Sequence, residues 1–380
     1  MLASLLRIIL LTATLKILER GLDKGPIIDI FDNLRIPVTK NQRKPGNTPY
    51  YGANGIQDYV SGYTHDGEFV LIAEDGANDL QNYPVTYASG KIWVNNHAHV
   101  LAGVNSKADT RFLAYLLKKV DFAAVLVGGT RAKLNGKTLK NIEVTLPERL
   151  KEQQAIASAL SDFDEHIDNL SELIEKKKAI RDGALEDLIN GKTRLDGFRG
   201  DWNSCKINDV ADFFDNLRIP VTKNQRMPGN TPYYGANGIQ DYVSGYTHDG
   251  EFILIAEDGA NDLLNYPVTY ASGKIWVNNH AHVLAGIKSV ADTKFLSYLL
   301  KKVDYTAVLV GGTRAKLNGK TLKNIEITLP ESISEQQAIA SILTVMDEEI
   351  ESLLTEKAKM VQISEGAMDD LLTGRVHLKV

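Results

Sequence analysis

A single cysteine, Cys205, in a chain of 380 residues excludes an internal disulfide and fits a reducing, cytoplasmic setting. Long uncharged apolar runs are missing too. The most apolar stretch, MLASLLRIILLTATLKILERG at the N-terminus, is interrupted by Arg7 and Lys16 and falls short of the roughly 18 residues of a membrane span. It reads as a helix buried against the fold or a partner, with a signal peptide as the alternative. Catalytic motifs are absent as well. Asn135-Gly136-Lys137-Thr138 and Gly191-Lys192-Thr193 end like phosphate-binding loops, but Arg131 and Glu186 stand where the first glycine is required. There is no glycine-rich cofactor turn, no Asn-Pro-Pro-aromatic adenine pocket and no nucleophile elbow. An enzyme acting alone is therefore not expected, and neither is a bound cofactor. Excess positive charge is lacking too: the net charge is −5, so unaided phosphate contacts would hold nucleic acid weakly.

What the chain does have is a repeat. Phe31–Pro147 and Phe214–Pro330 align at a constant offset of 183 and differ at 11 of 117 positions. NTPYYGANGIQDYVSGYTHDGEF occurs twice without change, at 47–69 and 230–252. Most differences are mild, such as Val70/Ile253 and Phe122/Tyr305; Lys44/Met227, Gln81/Leu264 and Lys107/Val290 are not. Solenoid units run about 20–50 residues and cannot bury a core alone. A unit of this size can, so two globular domains are expected.

The stretches after each domain also correspond. Residues 148–190 and 331–373 share an apolar seam, Ile156, Leu160, Phe163, Ile167, Leu170 in one and Ile339, Leu343, Met346, Ile350, Leu353 in the other. Steps of four and three are the rhythm of helices packing side by side. Gly191 and Gly374 close the two stretches in the C-terminal capping position. Each predicts a rod about 60 Å long, and two rods in one chain can pair. The alternative is that each rod packs only on its neighbouring domain. Charge follows the same boundaries: +3 and +2 on the domains, −5 and −6 on 148–213 and 331–380.

Each domain reads as α+β. β-prone runs at Phe69–Ala73, Lys91–Val94, His99–Leu101 and Ala124–Val127 lie between Gly- and Asn-rich turns, and one helix follows the Asp109-Thr110 cap. GGTRAKLNGKTLKN is expected to be a basic loop with little to bury. Arg35, Lys40 and Arg43 precede the pair Tyr50-Tyr51; then come Asn54 and Gln57, whose amides can face adenine in a major groove. Arg131, Lys133 and Lys137 suit phosphate or guanine. Their counterparts are Arg218, Lys223, Arg226, Tyr233, Tyr234, Asn237, Gln240, Arg314, Lys316 and Lys320. Lys44 and Lys107 are poor base readers, because their counterparts are Met227 and Val290. Each of these residue types also has a plain structural reading, as solvated lysine, core tyrosine or turn asparagine. His97 and His99, two apart on a strand, could hold a metal with Glu74 or Asp75; no metal is expected.

GGTRAKLNGKTLKNIEVTLP (Gly128–Pro147) and its twin at Gly311–Pro330 each run into Glu-Gln-Gln-Ala-Ile-Ala, at Glu152 and Glu335. With TPYYGANGI, WVNNHAHVL, LINGKTRLDGF and its echo LLTGRVHL, these make the chain resemble the specificity subunit of a type I restriction-modification system. The resemblance runs from about residue 26. It implies two target-recognition domains entering the DNA major groove, spaced by an antiparallel coiled coil with pseudo-twofold symmetry. It also implies a subunit without catalytic activity that docks two adenine-N6 methyltransferase subunits and then motor-nuclease (restriction) subunits on double-stranded DNA. The expected division is a helical segment 1–25, recognition domains 26–147 and 201–330, and helical spacers 148–200 and 331–380. Identical readers related by a twofold require inverted half-sites, so a bipartite, palindromic target is expected. A stand-alone DNA-binding regulator and, further off, a metal-dependent enzyme are the alternatives.

Overall fold

The computed structural model describes residues 27–104, 107–128, 132–311 and 315–378. The N-terminal segment 1–25 expected to be a helix lies outside them, as do Arg131 and Arg314. The chain divides into two compact units, one made of the chain up to Leu170 together with Glu356 onward, the other Ser171–Thr355.

The first unit contains one sheet of six strands: β1 (Ile28–Ile30), β2 (Pro45–Gly52), β3 (Gly55–Val60), β4 (His65–Ala73), β5 (Val85–Val94) and β6 (Ala98–Gly103), in the order β1-β6-β4-β5-β2-β3. Neighbours are antiparallel except β2 and β5, where Tyr50 pairs with Trp93 in a parallel ladder. Asn54-Gly55, with Gly55 at φ 98°, closes the β2–β3 hairpin.

The second unit has the matching sheet, after a short lead-in strand β7 (Trp202–Lys206). Its strands are β8 (Ala211–Phe213), β9 (Pro228–Gly235), β10 (Gly238–Val243), β11 (His248–Ala256), β12 (Val268–Val277) and β13 (Ala281–Gly286). β14 (Glu326–Pro330) pairs antiparallel with β7 as a separate two-stranded sheet.

The apolar run Phe252–Ala256 is buried throughout because β11 is a central strand covered on both faces. Phe252 and Leu254 pack with Tyr234, Ile275, Val277 and Val283. Ile253 and Ile255 pack with Phe295, Leu296 and Leu300 of the helix Thr293–Leu300. Each such side chain withdrawn from water contributes about 1.5–3 kcal/mol. The helix starts where the sequence predicts in both units, with the Asp109 and Asp292 side chains accepting from the Phe112 and Phe295 amides at 2.8 Å.

Two local expectations fail. Ala124–Val127 does not form a strand: Phe122–Val125 is a 3-10 turn, started by Asp121 accepting from the Ala123 amide and held by Phe122 stacking on Tyr83 at 5.0 Å. Nor is the basic stretch devoid of core. Gly136–Lys140 forms a short helix, and Leu134 and Leu139 are fully buried.

The two rods are the helices Leu150–Ile189 and Ile333–Leu372. Gly191 and Gly374 follow them in the left-handed region, at φ 65° and 70°. Ile156, Leu160, Phe163, Leu170, Ile339, Leu343 and Ile350 are buried; Ile167, Met346 and Leu353 are half-buried. In the first unit Glu152 meets His377 and His166 meets Glu356; in the second Lys177 meets Glu349, Arg181 meets Asp347 and Arg194 meets Glu335. Rising numbers on one helix meet falling numbers on the other, so the helices pair antiparallel within each unit.

The helix ends also join a domain core. Leu185, Leu188, Ile189, Ile339 and Leu343 share a cluster with Ile253 and Phe295. The helices therefore pack both on each other and on the adjoining domain. The Gln-Gln motif fixes the helix start: the Gln153 amide, fully buried, donates to the Lys107 and Pro147 carbonyls and accepts from the Asp109 amide. Gln336 does the same with Val290, Pro330 and Asp292.

Candidate nucleic-acid interface

One rim of the first sheet gathers four loops: the β2–β3 turn, the β4–β5 loop, the β5–β6 turn and the basic loop after Val127. Their backbones are tied together. Val127 and Lys133 exchange both backbone hydrogen bonds at 3.0 Å, Leu134 donates to the Glu74 carbonyl and Glu74 donates to the His97 carbonyl, both at 2.8 Å. The Asn54 side chain donates to the Gly76 carbonyl and accepts from the Asn78 amide at 2.9 Å.

Beneath the rim lies an ionic hub. The Arg35 guanidinium donates to Glu74 at 2.6 Å and to the Ala98 carbonyl at 2.8 Å, and the Lys133 ammonium donates to the other Glu74 oxygen at 2.7 Å. His99, 2% exposed, places Nδ1 2.6 Å from Asp32 and Nε2 2.8 Å from the Leu134 carbonyl. Burial opposes charge on Asp32, Glu74 and His99. Hydrogen bonds and opposite charges outweigh it, so Asp32 and Glu74 sit below the usual carboxylate range and His99 above the usual imidazole value. The second unit repeats the hub with Arg218, Glu257, Lys316, Asp215, His282 and the Leu317 carbonyl.

A metal does not fit this cluster. Asp32, Glu74 and His99 offer ligand atoms within 4.8 Å of one another, but both imidazole nitrogens are already engaged, Nδ1 with the Asp32 carboxylate and Nε2 with the Leu134 carbonyl. Such a ring cannot ligate. His97 pairs with a different carboxylate, Asp75, so the two histidines do not share a site.

The sequence-nominated side chains therefore separate into struts and free groups. Arg35 and Lys133, with Arg218 and Lys316, are hub members. Arg43 stacks 4.0 Å over the Tyr50 ring and pairs with Asp58, and Arg226 does the same with Tyr233 and Asp241. Tyr50 is 1% exposed, its hydroxyl bonded to the Val38 backbone; Tyr51, Tyr233 and Tyr234 are core as well. Asn54 and Asn237 are exposed, but loop backbone occupies their amides. The Gln57 amide lies on Gly52, where a Cβ would approach it to 2.2 Å, and Gln240 lies likewise on Gly235. Lys40, Lys137, Lys223 and Lys320 are exposed.

The sequence reading missed exposed apolar groups beside these lysines. Ile36, Ile56, Tyr59 and Tyr63 are about half exposed, as are Ile219, Ile239, Tyr242 and Tyr246. The Lys91 ammonium lies 4.8 Å from the Tyr63 ring and Lys274 repeats this on Tyr246. Lysines for phosphate, an amide for a base edge and apolar groups for thymine methyls or sugars form a composition that can grip DNA. Alternation could not have indicated this set: Ile56 and Gln57 are neighbours and both exposed, Tyr50 and Tyr51 are neighbours and both buried, and the hairpin register shifts between Tyr50 and Tyr51.

Comparison with known proteins agrees. The family model described as type I restriction modification DNA specificity domain matches residues 23–178 and 199–360. A putative type I restriction enzyme specificity subunit of Haemophilus influenzae is 33% identical over 83% of this chain and 84% of its own length. A type I restriction enzyme specificity subunit of Methanocaldococcus jannaschii is 27% identical over 72% of each. The crystal structure of an S subunit from M. genitalium shares the fold, with TM-score 0.71 and 17% identity over 93% of this chain and 98% of that one. Two copies of the domain, each borne on a long helix, place this chain in the type I restriction-modification specificity family, to which it belongs as a specificity subunit.

Proposed function

We propose that the chain reads a bipartite, palindromic DNA target and carries two adenine-N6 methyltransferase subunits to it, with restriction subunits joining the full complex in the cytoplasm. It is the DNA-recognition part of that assembly and not its catalyst. Residues 26–147 and 201–330 are the two readers, and 148–200 and 331–380 are the spacers between them. The supporting observation is that the exposed set Ile36, Lys40, Gln57, Tyr59, Lys137 recurs without change as Ile219, Lys223, Gln240, Tyr242, Lys320. Identical contact groups read identical half-sites. Antiparallel spacers favour presenting those half-sites on opposite strands, separated by an unread gap. With −5 net charge overall, the catalytic partners supply much of the phosphate grip.

The test is reconstitution with an adenine-N6 methyltransferase subunit of a type I system and titration of labelled duplexes. Tight, salt-dependent binding by the complex and weak binding by the chain alone support the reading. Equal sequence-specific affinity without the partner would instead indicate a free-standing regulator.

A further inference from the structure

The sequence Glu-(Ile/Val)-Thr-Leu-Pro occurs in both units, at 326–330 and 143–147, with one difference, Ile327 for Val144. In the second unit it is a strand, β14, paired over its whole length with β7: Glu326 opposite Lys206, Thr328 opposite Ser204, Pro330 opposite Trp202. Ile327 and Leu329 are each 5% exposed. In the first unit residues 143–147 are not a strand, Val144 and Leu146 are only half-buried, and among the described residues no backbone partner meets 143–146.

The surroundings of the seat are nevertheless duplicated. In the second unit Trp202 packs where a Cβ on Gly191 would come within 3.3 Å of its ring, edge-on to Phe295 at 6.4 Å and beneath the Arg194 guanidinium, which clasps Glu335. At the same offset the first unit has Gly374, Phe112 and the pair His377–Glu152, whose side chains meet at 2.7 Å. The residues of this chain at the corresponding distance before β1 are Glu19–Asp23. In the β7 register they would put Glu19 in the tryptophan position and Asp23 opposite Glu143, which is like charge against like where the second unit has Lys206 against Glu326. Their chemistry does not match the seat.

We propose that Glu143–Pro147, which has no strand partner among the described residues, is a strand-acceptor seat that takes, by β-augmentation, an extended segment of another polypeptide. Its side-chain pattern is that of Trp202–Lys206: an aromatic first, a small apolar residue fourth and a lysine fifth. Backbone pairing supplies the grip, while the aromatic pocket and the Glu143 carboxylate select the sequence and direction. This holds whether or not the chain reads DNA.

The test is an anisotropy titration of the full chain with a dye-labelled peptide of residues 201–209, with amide exchange followed at Val144 and Leu146, the counterparts of Ile327 and Leu329, which lie in the hydrogen-bonded pairs of the β7–β14 ladder. Expected are saturable binding of one peptide per chain, new protection at those two amides, and at least a tenfold loss of affinity for peptides carrying Trp202→Ala or Lys206→Glu. Absence of saturable binding at millimolar peptide would overturn the proposal. So would binding that survives Leu146→Asp in the chain, once exchange at Leu71 and Leu254 shows both sheets of that variant intact.

Discussion

The sheets of the two units and the segments that flank them respond differently to sequence change. Eleven replacements between the sheet domains leave the ionic hub intact: Arg35–Glu74 and Arg218–Glu257 measure 2.6 and 2.7 Å, Lys133–Glu74 and Lys316–Glu257 2.7 and 2.8 Å. One replacement separates 143–147 from 326–330, yet only the second is a strand. A hub is specified by residues within the repeat. A strand belongs to a pair, and β7 has no described counterpart in the first unit. Local sequence fixes an element only when its partners are repeated with it.

The largest test of that contrast removes a clamp that both units possess. Gln153→Ala and Gln336→Ala each strand a buried amide and two carbonyls, and each should lower the stability of its own unit by about 3 kcal/mol. Denaturant unfolding followed by residue-resolved exchange would show whether the two losses match. Trp202→Ala should come next, costing about 3 kcal/mol and removing amide protection at Ile327. Protection at Val144 should already be absent, so equal protection at Val144 and Ile327 in the native chain would erase the difference between the units.

A smaller effect concerns DNA. Alanine at Lys40 or at Lys223 should weaken binding by the reconstituted complex equally, each lowering the salt slope by about 0.9. Unequal losses would mean that the two domains do not read alike.

pH gives a subtler comparison within the first unit. Burial depresses the pKa of His65, so its stabilisation is present above about pH 6.5 and is lost as pH falls through the folded value. His99 runs oppositely. Burial opposes its charge, but its Asp32 and Leu134 partners raise its pKa, so its contribution is full below about pH 6.5 and fades as pH rises through the folded value. A His99→Gln chain should therefore lose stability more steeply from pH 7 to pH 5 than the native chain. The smallest change should come from Leu264→Gln, which restores the residue of the first domain at a position 88% exposed and should shift stability by no more than about 0.5 kcal/mol.

Much of the fold was legible because it is written in period and repetition. The seam spacing of Ile156, Leu160 and Phe163, the closing glycines and the Asp109 cap each have a local cause. The site was less legible. Arg35, Arg43 and Tyr50 have the composition of DNA contacts, but partners far along the chain, Glu74, Asp58 and the Val38 backbone, turn them inward. Sequence shows that a group can bind phosphate; it does not show that a carboxylate 39 residues away already holds it. The exposed Tyr59 and Ile56 were passed over because aromatic and apolar residues are more often core.

The central claim is that two identical readers recognise one half-site sequence twice. It is tested most directly by mapping N6-methyladenine across the host genome with and without this gene. The account predicts loss of a single interrupted palindrome on deletion. Loss of a motif with two unlike halves would contradict it.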